Sequence, residues 1–233
     1  MLLLKQIRES LLHFAYPHVC EGCGTDNLQG DHLLCLHCLS SLPGTNFSPH
    51  ADNLVEKMFW GRMAVESATS VYYFTKESMM QHLVHQFKYK RNKEIGSYLG
   101  ELMGWALLES KRFTSVDALI PLPLYKSKER LRGYNQSMLL CEGIAKVLRK
   151  PVLPDIVERT EETESQTKKN RIERWENMQG KFKLRDASTI QGLHVLLVDD
   201  VITTGATLEA CGREILRAKN VRLSVGTLCF SFG

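Results

Sequence analysis

Apolar positions recur along the chain first at helical and then at strand spacing, and the two periods alternate to the carboxyl end. Leu4, Ile7 and Leu11 share one helical face while Lys5, Arg8 and Glu9 interrupt the run, which predicts an amphipathic first helix. Residues 43–60 read as a linker running into a short helix, and 64–74 alternate as a strand does. Met80, Leu83, Val84 and Phe87 mark a helix, and Ile95, Leu99, Leu102, Met103 and Ala106 a second. The stretch "DALIPLPL" reads as a strand, followed by a basic loop and a helix that carries Leu140, Ile144, Val147 and Leu148, with Asn135 placed as its N-cap. After a long polar segment, Val195 to Val198 form a continuous apolar run, the mark of a central parallel strand covered on both faces. Leu208, Cys211, Ile215 and Leu216 then fall on one helical face, and "RLSVGTLCF" closes the pattern as a strand. Strands that alternate with helices predict an α/β fold built on a doubly wound, mostly parallel sheet. No repeat or low-complexity tract interrupts it.

Composition adds a second, smaller piece. Hydrophobic residues make up 43% and charged ones 24% of the 233 residues, ordinary values for a chain that buries a core. Nothing reaches the ~18 consecutive apolar residues of a membrane span, and the interrupted amino terminus does not read as a signal peptide, so a cytoplasmic protein is expected. Its seven cysteines are then reduced, which turns the reading of paired ones from disulfides toward metal. Cys20-x-x-Cys23 and Cys35-x-x-Cys38 are two knuckles eleven residues apart, able to close a tetrahedral shell around a structural Zn²⁺. Competing readings are a redox pair or buried free thiols. His18, His32 and His37 are bystanders beside a complete four-thiolate set, and Cys141, Cys211 and Cys229 read as core. His82 and His85 have no partner at metal spacing and read as surface residues. The expected organisation is an N-terminal helix with a zinc-ribbon-like module over 1–45 and a larger domain over 60–233.

The chemistry concentrates after the apolar run at 195–198. Asp199 and Asp200 stand at the carboxyl end of the strand, where open α/β sheets hold their ligands. Thr203, Thr204, Gly205, Ala206 and Thr207 follow at a helix N-terminus, where unpaired N–H groups and the helix dipole favour an anion such as phosphate. Two acids beside a phosphate need their own partners, and sugar hydroxyls and Mg²⁺ both want carboxylate oxygens. The competing reading is an Asp-rich turn that merely caps a helix. In "ALIPLPLYKSKERLRGYNQS", Pro121 and Pro123 stiffen the backbone leaving the sheet, which suits pyrophosphate, and Arg130 and Arg132 add bidentate phosphate donors. The polar segment "ERTEETESQTKKNRIERWENMQGKF" reads either as a lid, with Arg159, Gln166, Lys168, Asn170, Arg171 and Arg174 turned to the ligand on closure, or as a solvated helical hairpin packed through Trp175.

"VLLVDDVITTGATL" resembles the phosphoribosyl pyrophosphate (PRPP) motif of type I phosphoribosyltransferases. The resemblance implies a type I phosphoribosyltransferase-like domain in which Asp199 and Asp200, the catalytic candidates, hold the ribose hydroxyls. The PRPP loop then runs from Asp199 and Asp200 through Val201, Ile202, Thr203, Thr204, Gly205, Ala206 and Thr207, with the 5-phosphate held by its last five residues. Leu122, Pro123, Leu124, Arg130 and Arg132 take the place of the pyrophosphate loop. Together with the double CxxC knuckle, "FKYKRNKEIGSYLG", "IPLPLYKSKERLRGYNQS" and the polar segment, the chain resembles the ComF family over nearly its whole length. It departs from that pattern at Tyr134, where phenylalanine is usual, and at Lys126 and Ser127, where a histidine or extra arginine is common. The resemblance implies a PRPP-site protein linked to internalising single-stranded DNA in natural transformation, with partners in the competence machinery.

The residues by themselves imply less, a magnesium-assisted site for a sugar phosphate that bears pyrophosphate, with cleavage through an oxocarbenium-like state. Two functions stay open. One is a phosphoribosyltransferase whose acceptor is unidentified. The other is a non-catalytic single-stranded-DNA-binding competence factor, or nucleotide sensor, that keeps the PRPP site as a ligand site. For DNA, the basic clusters are Lys88, Lys90, Arg91 and Lys93; Lys126, Lys128, Arg130 and Arg132; and Lys168, Lys169, Arg171 and Arg174. The first two lie near Tyr89 and Tyr134, which joins charge to stackable rings. A net charge of +4 is too mild to decide the matter.

Overall fold

A computed structural model of the chain describes residues 19–28, 30, 32–89, 92–161 and 180–232. The expected first helix lies outside them. The chain divides into two compact units, Met1–Leu42 and Pro43–Gly233.

In the first unit the Cys20 N–H donates to the Thr25 carbonyl at 2.7 Å and the Glu21 N–H to the Leu33 carbonyl at 2.9 Å, so the two knuckles fold onto each other. Helix α1, Leu36–Ser40, follows Cys35 directly. Cys20, Leu34 and Cys38 form its buried centre.

The second unit is built on a four-stranded parallel sheet of β1 (Ala68–Tyr73), β2 (Ala118–Pro121), β5 (His194–Ile202) and β6 (Arg222–Phe230), in the order β1-β6-β5-β2. Between β2 and β5 in sequence, β3 (Val157–Arg159) and β4 (Phe182–Leu184) pair antiparallel as a separate ribbon. Helix α2 (Leu54–Lys57) precedes β1, and α3 (Met79–Tyr89) and α4 (Lys93–Ser110) follow it. Helices α5 (Lys126–Arg132) and α6 (Gln136–Leu148) follow β2, and α7 (Ala206–Ile215) follows β5. The apolar side of α7, through Leu208, Cys211 and Ile215, packs with Val195, Leu197, Leu223 and Val225 of the central strands and with Val157 and Phe182 of the ribbon. Helices α4 and α6 pack against each other through a line of glycines. A Cβ on Gly100 would stand 2.4 Å from the Leu140 carbonyl oxygen, and one on Gly143 2.1 Å from that of Ser97, so the two helices meet backbone to backbone.

The doubly wound parallel sheet matches the expectation from periodicity, with local differences. "DALIPLPL" leaves the sheet at Pro121, because the prolines remove ladder donors and β2 is an edge strand. The alternation at 64–74 shortens to 68–73. The expected basic loop is helix α5, stopped by Gly133 at φ 84°. The expected linker over 43–60 is bound into the unit. The Asn53 side chain caps α2 and donates to the Ala68 carbonyl at 2.8 Å, while Val55 and Phe59 are fully buried. The ends of the polar segment form β3 and β4, and its centre, 162–179, lies outside the described residues.

Candidate functional site

Strand β2 ends where Pro121 pairs with Val198, and the Leu122 N–H donates to the Val198 carbonyl at 2.9 Å. Strand β5 runs four residues further, held there by β6, with Asp199 opposite Thr227 and Ile202 opposite Phe230. The acid pair therefore stands past the end of a neighbouring strand, where the central strand has one free side. Asp199 is half-buried and accepts hydrogen bonds from the Ser137 hydroxyl at 3.1 Å and the Asp200 N–H at 2.8 Å. Asp200 is buried, and the Lys88 Nζ lies 2.7 Å from its Oδ2. Burial, with the second carboxylate beside it, pushes the Asp199 carboxyl up to about 7. Burial works against the Lys88 ammonium, but Asp200 outweighs it and holds the pKa above its ordinary value. In this state each is partnered inside the protein.

Past Ile202 the chain turns through Thr203, which is exposed, and the half-buried Thr204 to Gly205, the N-cap of α7 at φ 73°. A side chain at Gly205 would be strained by that φ and would meet the Phe59 ring at 3.3 Å. No side chain caps the helix, apart from a long 3.4 Å contact of the Ala206 N–H with the Thr204 hydroxyl. The turn is held from behind. Arg62 donates to the Thr204 carbonyl at 3.2 Å and to the Met58 carbonyl at 2.9 Å, and pairs with the buried Glu209, which Arg213 also holds through Nε at 3.0 Å. The threonines and Gly205 are thereby fixed while the first-turn N–H groups keep the partial positive charge that attracts an anion.

The segment after β2 is brought beside the acids. Asn135 donates to the Leu122 carbonyl at 3.0 Å and accepts from the Ser137 N–H, so α6 begins against Leu122, Pro123 and Leu124. Arg132 donates to Gln136 at 2.7 Å and lies over the Tyr89 ring at 5.9 Å, whereas Arg130 is exposed on α5. Gln166, Lys168, Asn170 and Arg171 lie outside the described residues, as do Lys169, Arg174 and Trp175. The chain leaves for that segment and returns from it through β3 and β4, closed by the Thr160 N–H to the Lys181 carbonyl at 2.9 Å. Arg159, at the base, stacks on Phe182 at 5.4 Å.

Of the expected basic clusters the third lies wholly outside the described residues, and the first has one member tied to the acids. Lys88 is committed to Asp200, and Lys90 and Arg91 lie outside the described residues. Tyr134 is buried with its hydroxyl donating to the Phe87 carbonyl, so of the two expected stacking rings only Tyr89, 64% exposed, is open to a base. His82 and His85 are exposed, and Cys141, Cys211 and Cys229 are buried with thiols raised by burial, as expected of surface and core residues. Sequence reasoning missed Lys88 as the partner of Asp200, Ser137 as that of Asp199, and the Arg62–Glu209 clamp. Only Lys88 carries a signal in the sequence, as one of four basic residues over 88–93.

In the first unit the sulfurs of Cys20, Cys23, Cys35 and Cys38 all lie within 4.8 Å of one another, a set able to hold a metal ion. Burial opposes the Cys20 thiolate, but N–H donors from Cys35, Cys23 and Gly22 outweigh it and bring the thiol down to about 6. Among the described residues no helix is long and apolar enough to cross a membrane.

Residues 135–232 match the phosphoribosyl transferase domain, a span that includes Ser137, both acids and the threonine turn. Over 91% of its length the chain is 34% identical to DNA utilization protein YhgH of Shigella flexneri, covering 89% of that protein. It is 32% identical over 84% of its length to Competence protein F of Haemophilus influenzae, covering 83% of it. The chain belongs to the ComF family of phosphoribosyltransferase-like proteins. A third ComF relative, Competence protein ComFC of Bacillus subtilis, is 27% identical over 91% of the chain and 77% of its own length. The family pattern therefore extends across both units.

Proposed function

We propose that this ComF protein binds Mg–PRPP at the end of β5 and acts on it as a phosphoribosyltransferase-type site. The observation that carries the reading is the run from Asp199 to Thr207, two carboxylates on the free side of a central strand followed by a clamped glycine turn and a helix without a side-chain cap. The N–H groups and hydroxyls of Thr203 to Thr207 receive the 5-phosphate, Asp199 and Asp200 the ribose hydroxyls, and Leu122 to Leu124 with Arg130 and Arg132 the pyrophosphate. Gln166, Lys168, Asn170 and Arg171 belong to a segment that covers the ligand and excludes water.

A magnesium ion fits this donor set. The two carboxylates are hard oxygen ligands, and the nearby thiols of Cys211 and Cys229 are buried and protonated. Held by Asp199 and Asp200 together with PRPP, it would supply charge neutralisation for the pyrophosphate leaving group. The protein's own part is to hold the 5-phosphate and pyrophosphate apart at fixed positions and to place carboxylate charge beside the ribose as positive charge develops at C1. The Cys20, Cys23, Cys35 and Cys38 set holds a structural Zn²⁺, since four thiolates leave no coordination position for water. The names of the relatives support a role in competence and the use of DNA. Isothermal titration with Mg–PRPP is the direct test. Saturable binding to the parent and its loss in Asp199→Asn/Asp200→Asn is expected, and equal affinity in the two proteins refutes the site.

A second reading, single-stranded DNA binding with the PRPP site kept for a ligand, has its own observation. Helix α5 buries none of its residues and presents Lys126 and Arg130 to solvent, and Arg132 from the same helix reaches the exposed Tyr89 ring. Neutralising Lys126 and Arg130 should flatten the salt slope of oligonucleotide binding by roughly 0.7 per lost phosphate contact. Equal slopes by fluorescence anisotropy exclude α5 from a DNA path.

A further inference from the structure

The ion pair between Lys88 and Asp200 occupies the place where a cation bound to the acids would have to go. Its atoms are 2.7 Å apart, and the two side chains are only 19% and 12% exposed, so it is no loose surface contact. Lys88 lies one residue before the end of α3, and the charges acting on it beyond Asp200 are Asp199, which favours the ammonium, and Arg132, which opposes it. The ammonium is thus favoured by the acid pair and opposed by the cationic end of α5. Among the described residues Asp199 forms no ion pair and accepts instead from the Ser137 hydroxyl and the Asp200 N–H.

The charges at this site do not balance for a bare ion. Asp199, Asp200 and Lys88 together carry −1 when both acids are ionised. A divalent ion arriving alone displaces the ammonium, turns the balance to +1 and leaves Lys88 part-buried without its carboxylate and near Arg132, an arrangement that low-dielectric surroundings penalise. A divalent ion arriving with a pyrophosphate group brings the anion that Lys88 then lacks. Lysine suits the exchange, because its charge is a point at the end of a flexible stem, whereas an arginine fork is tied to one geometry.

We propose that Lys88 is a two-position cation that makes divalent-ion binding conditional on pyrophosphate. It rests on Asp200 in the ligand-free protein and moves to a pyrophosphate oxygen when the ion takes its place. This rests on the Mg–PRPP reading above and adds a basis for specificity: a sugar monophosphate gives the displaced ammonium no partner and binds weakly.

The test uses the full chain with Lys88→Met and Lys88→Arg. With Mn²⁺ alone, followed by electron paramagnetic resonance, Lys88→Met should bind at least tenfold more tightly than the parent and Lys88→Arg within about threefold of it, since its charge remains. With Mg–PRPP, followed by calorimetry, Lys88→Met should bind at least tenfold more weakly, while Mg–ribose 5-phosphate should be unchanged or tighter. Opposite signs for ion and pyrophosphate ligand separate this role from a structural one, which would weaken all three. Mn²⁺ affinity equal to or below that of the parent, or no Mn²⁺ binding in either protein, overturns the proposal. Failure of the parent to bind Mg–PRPP refutes the ligand reading instead, and the Mn²⁺ comparison still decides the competition at Asp200. Should Lys88→Met not fold, the ¹⁵N resonance of the Lys88 ammonium in the unaltered protein serves. It should shift with Mg–PRPP and stay in place with Mg²⁺ alone, and an unmoved signal in the saturated complex overturns the exchange.

Discussion

Replacing Gly143 by alanine sets two physical effects against each other. Gly143 lies inside helix α6, so helix propensity alone favours the substitution by about 1 kcal/mol. The added Cβ, however, would stand 2.1 Å from the Ser97 carbonyl oxygen, 2.5 Å from the Glu101 nitrogen and 2.6 Å from the Gly100 carbonyl carbon. Each is about 1 Å inside ordinary van der Waals separation, and all three belong to the backbone of α4, so no rotamer change relieves them. The helices must part along their glycine line, and overpacking of this kind costs about 1–3 kcal/mol, occasionally more. With three backbone clashes the upper end applies, leaving a net loss of about 2 kcal/mol, or about 4–8 °C in Tm for a unit of this size. Separation also moves the first turn of α6, which carries Ser137 against Asp199, so Mg–PRPP affinity should fall with stability. Thermal and urea denaturation of Gly143→Ala, with Gly44→Ala as the control, checks this. Gly44 is exposed with nothing within 4 Å of a Cβ, and its substitution should stay within about 0.5 kcal/mol of the parent. A Gly143→Ala protein as stable as the parent, or more so, refutes the close-packing account.

Four further outcomes are expected. Because the Asp199 carboxyl lies near 7 rather than its ordinary 3.8, the folded state holds a proton that a divalent ion must displace. The ionised fraction rises from about 0.1 at pH 6 to about 0.9 at pH 8, so Mn²⁺ affinity should rise about tenfold across that range. The same raised value makes ligand-free stability fall as pH climbs from about 4 to about 7, a slope that Asp199→Asn should flatten in pH-dependent melts. Arg62→Met removes one of the two guanidinium groups that pair with the buried Glu209 and frees the Thr204 carbonyl. It should cost about 2–4 kcal/mol in denaturation, with Arg62→Lys recovering only part because it lacks the fork. Protein purified without chelators should carry one zinc per chain by elemental analysis, and stripping it should unfold the first unit by circular dichroism while Mg–PRPP binding to the second is kept.

Much of this molecule could be read from residue order. The apolar run at 195–198 is a central strand because only continuous burial tolerates such a sequence, and the acids and threonine turn after it lie where any parallel strand must hand over to its helix. The knuckle spacing likewise brought four cysteines together, since ligands with two residues between them share one turn. Short-range rules misread the pieces whose state depends on neighbours. Residues 43–60 have the composition of a linker, yet Asn53 and Phe59 bind them to the sheet. The strands β3 and β4 are three residues each, too short to announce a period, and exist because they pair with each other.

By itself the sequence determined the main helices and central strands, the parallel character of the sheet and the atoms available for chemistry, because periodicity, turn residues and ligand spacing act over a few residues. Tertiary structure alone decided how those atoms are used. It set Lys88 on Asp200 across 112 positions of chain, Ser137 on Asp199 across 62 and Arg62 on the Thr204 carbonyl across 142. It also took Tyr134 out of solvent by closing its hydroxyl onto the Phe87 carbonyl. Coulomb attraction and hydrogen bonding depend on separation in space rather than along the chain. A lysine that looks like one of a basic cluster in sequence is therefore the counter-ion of the site in the fold.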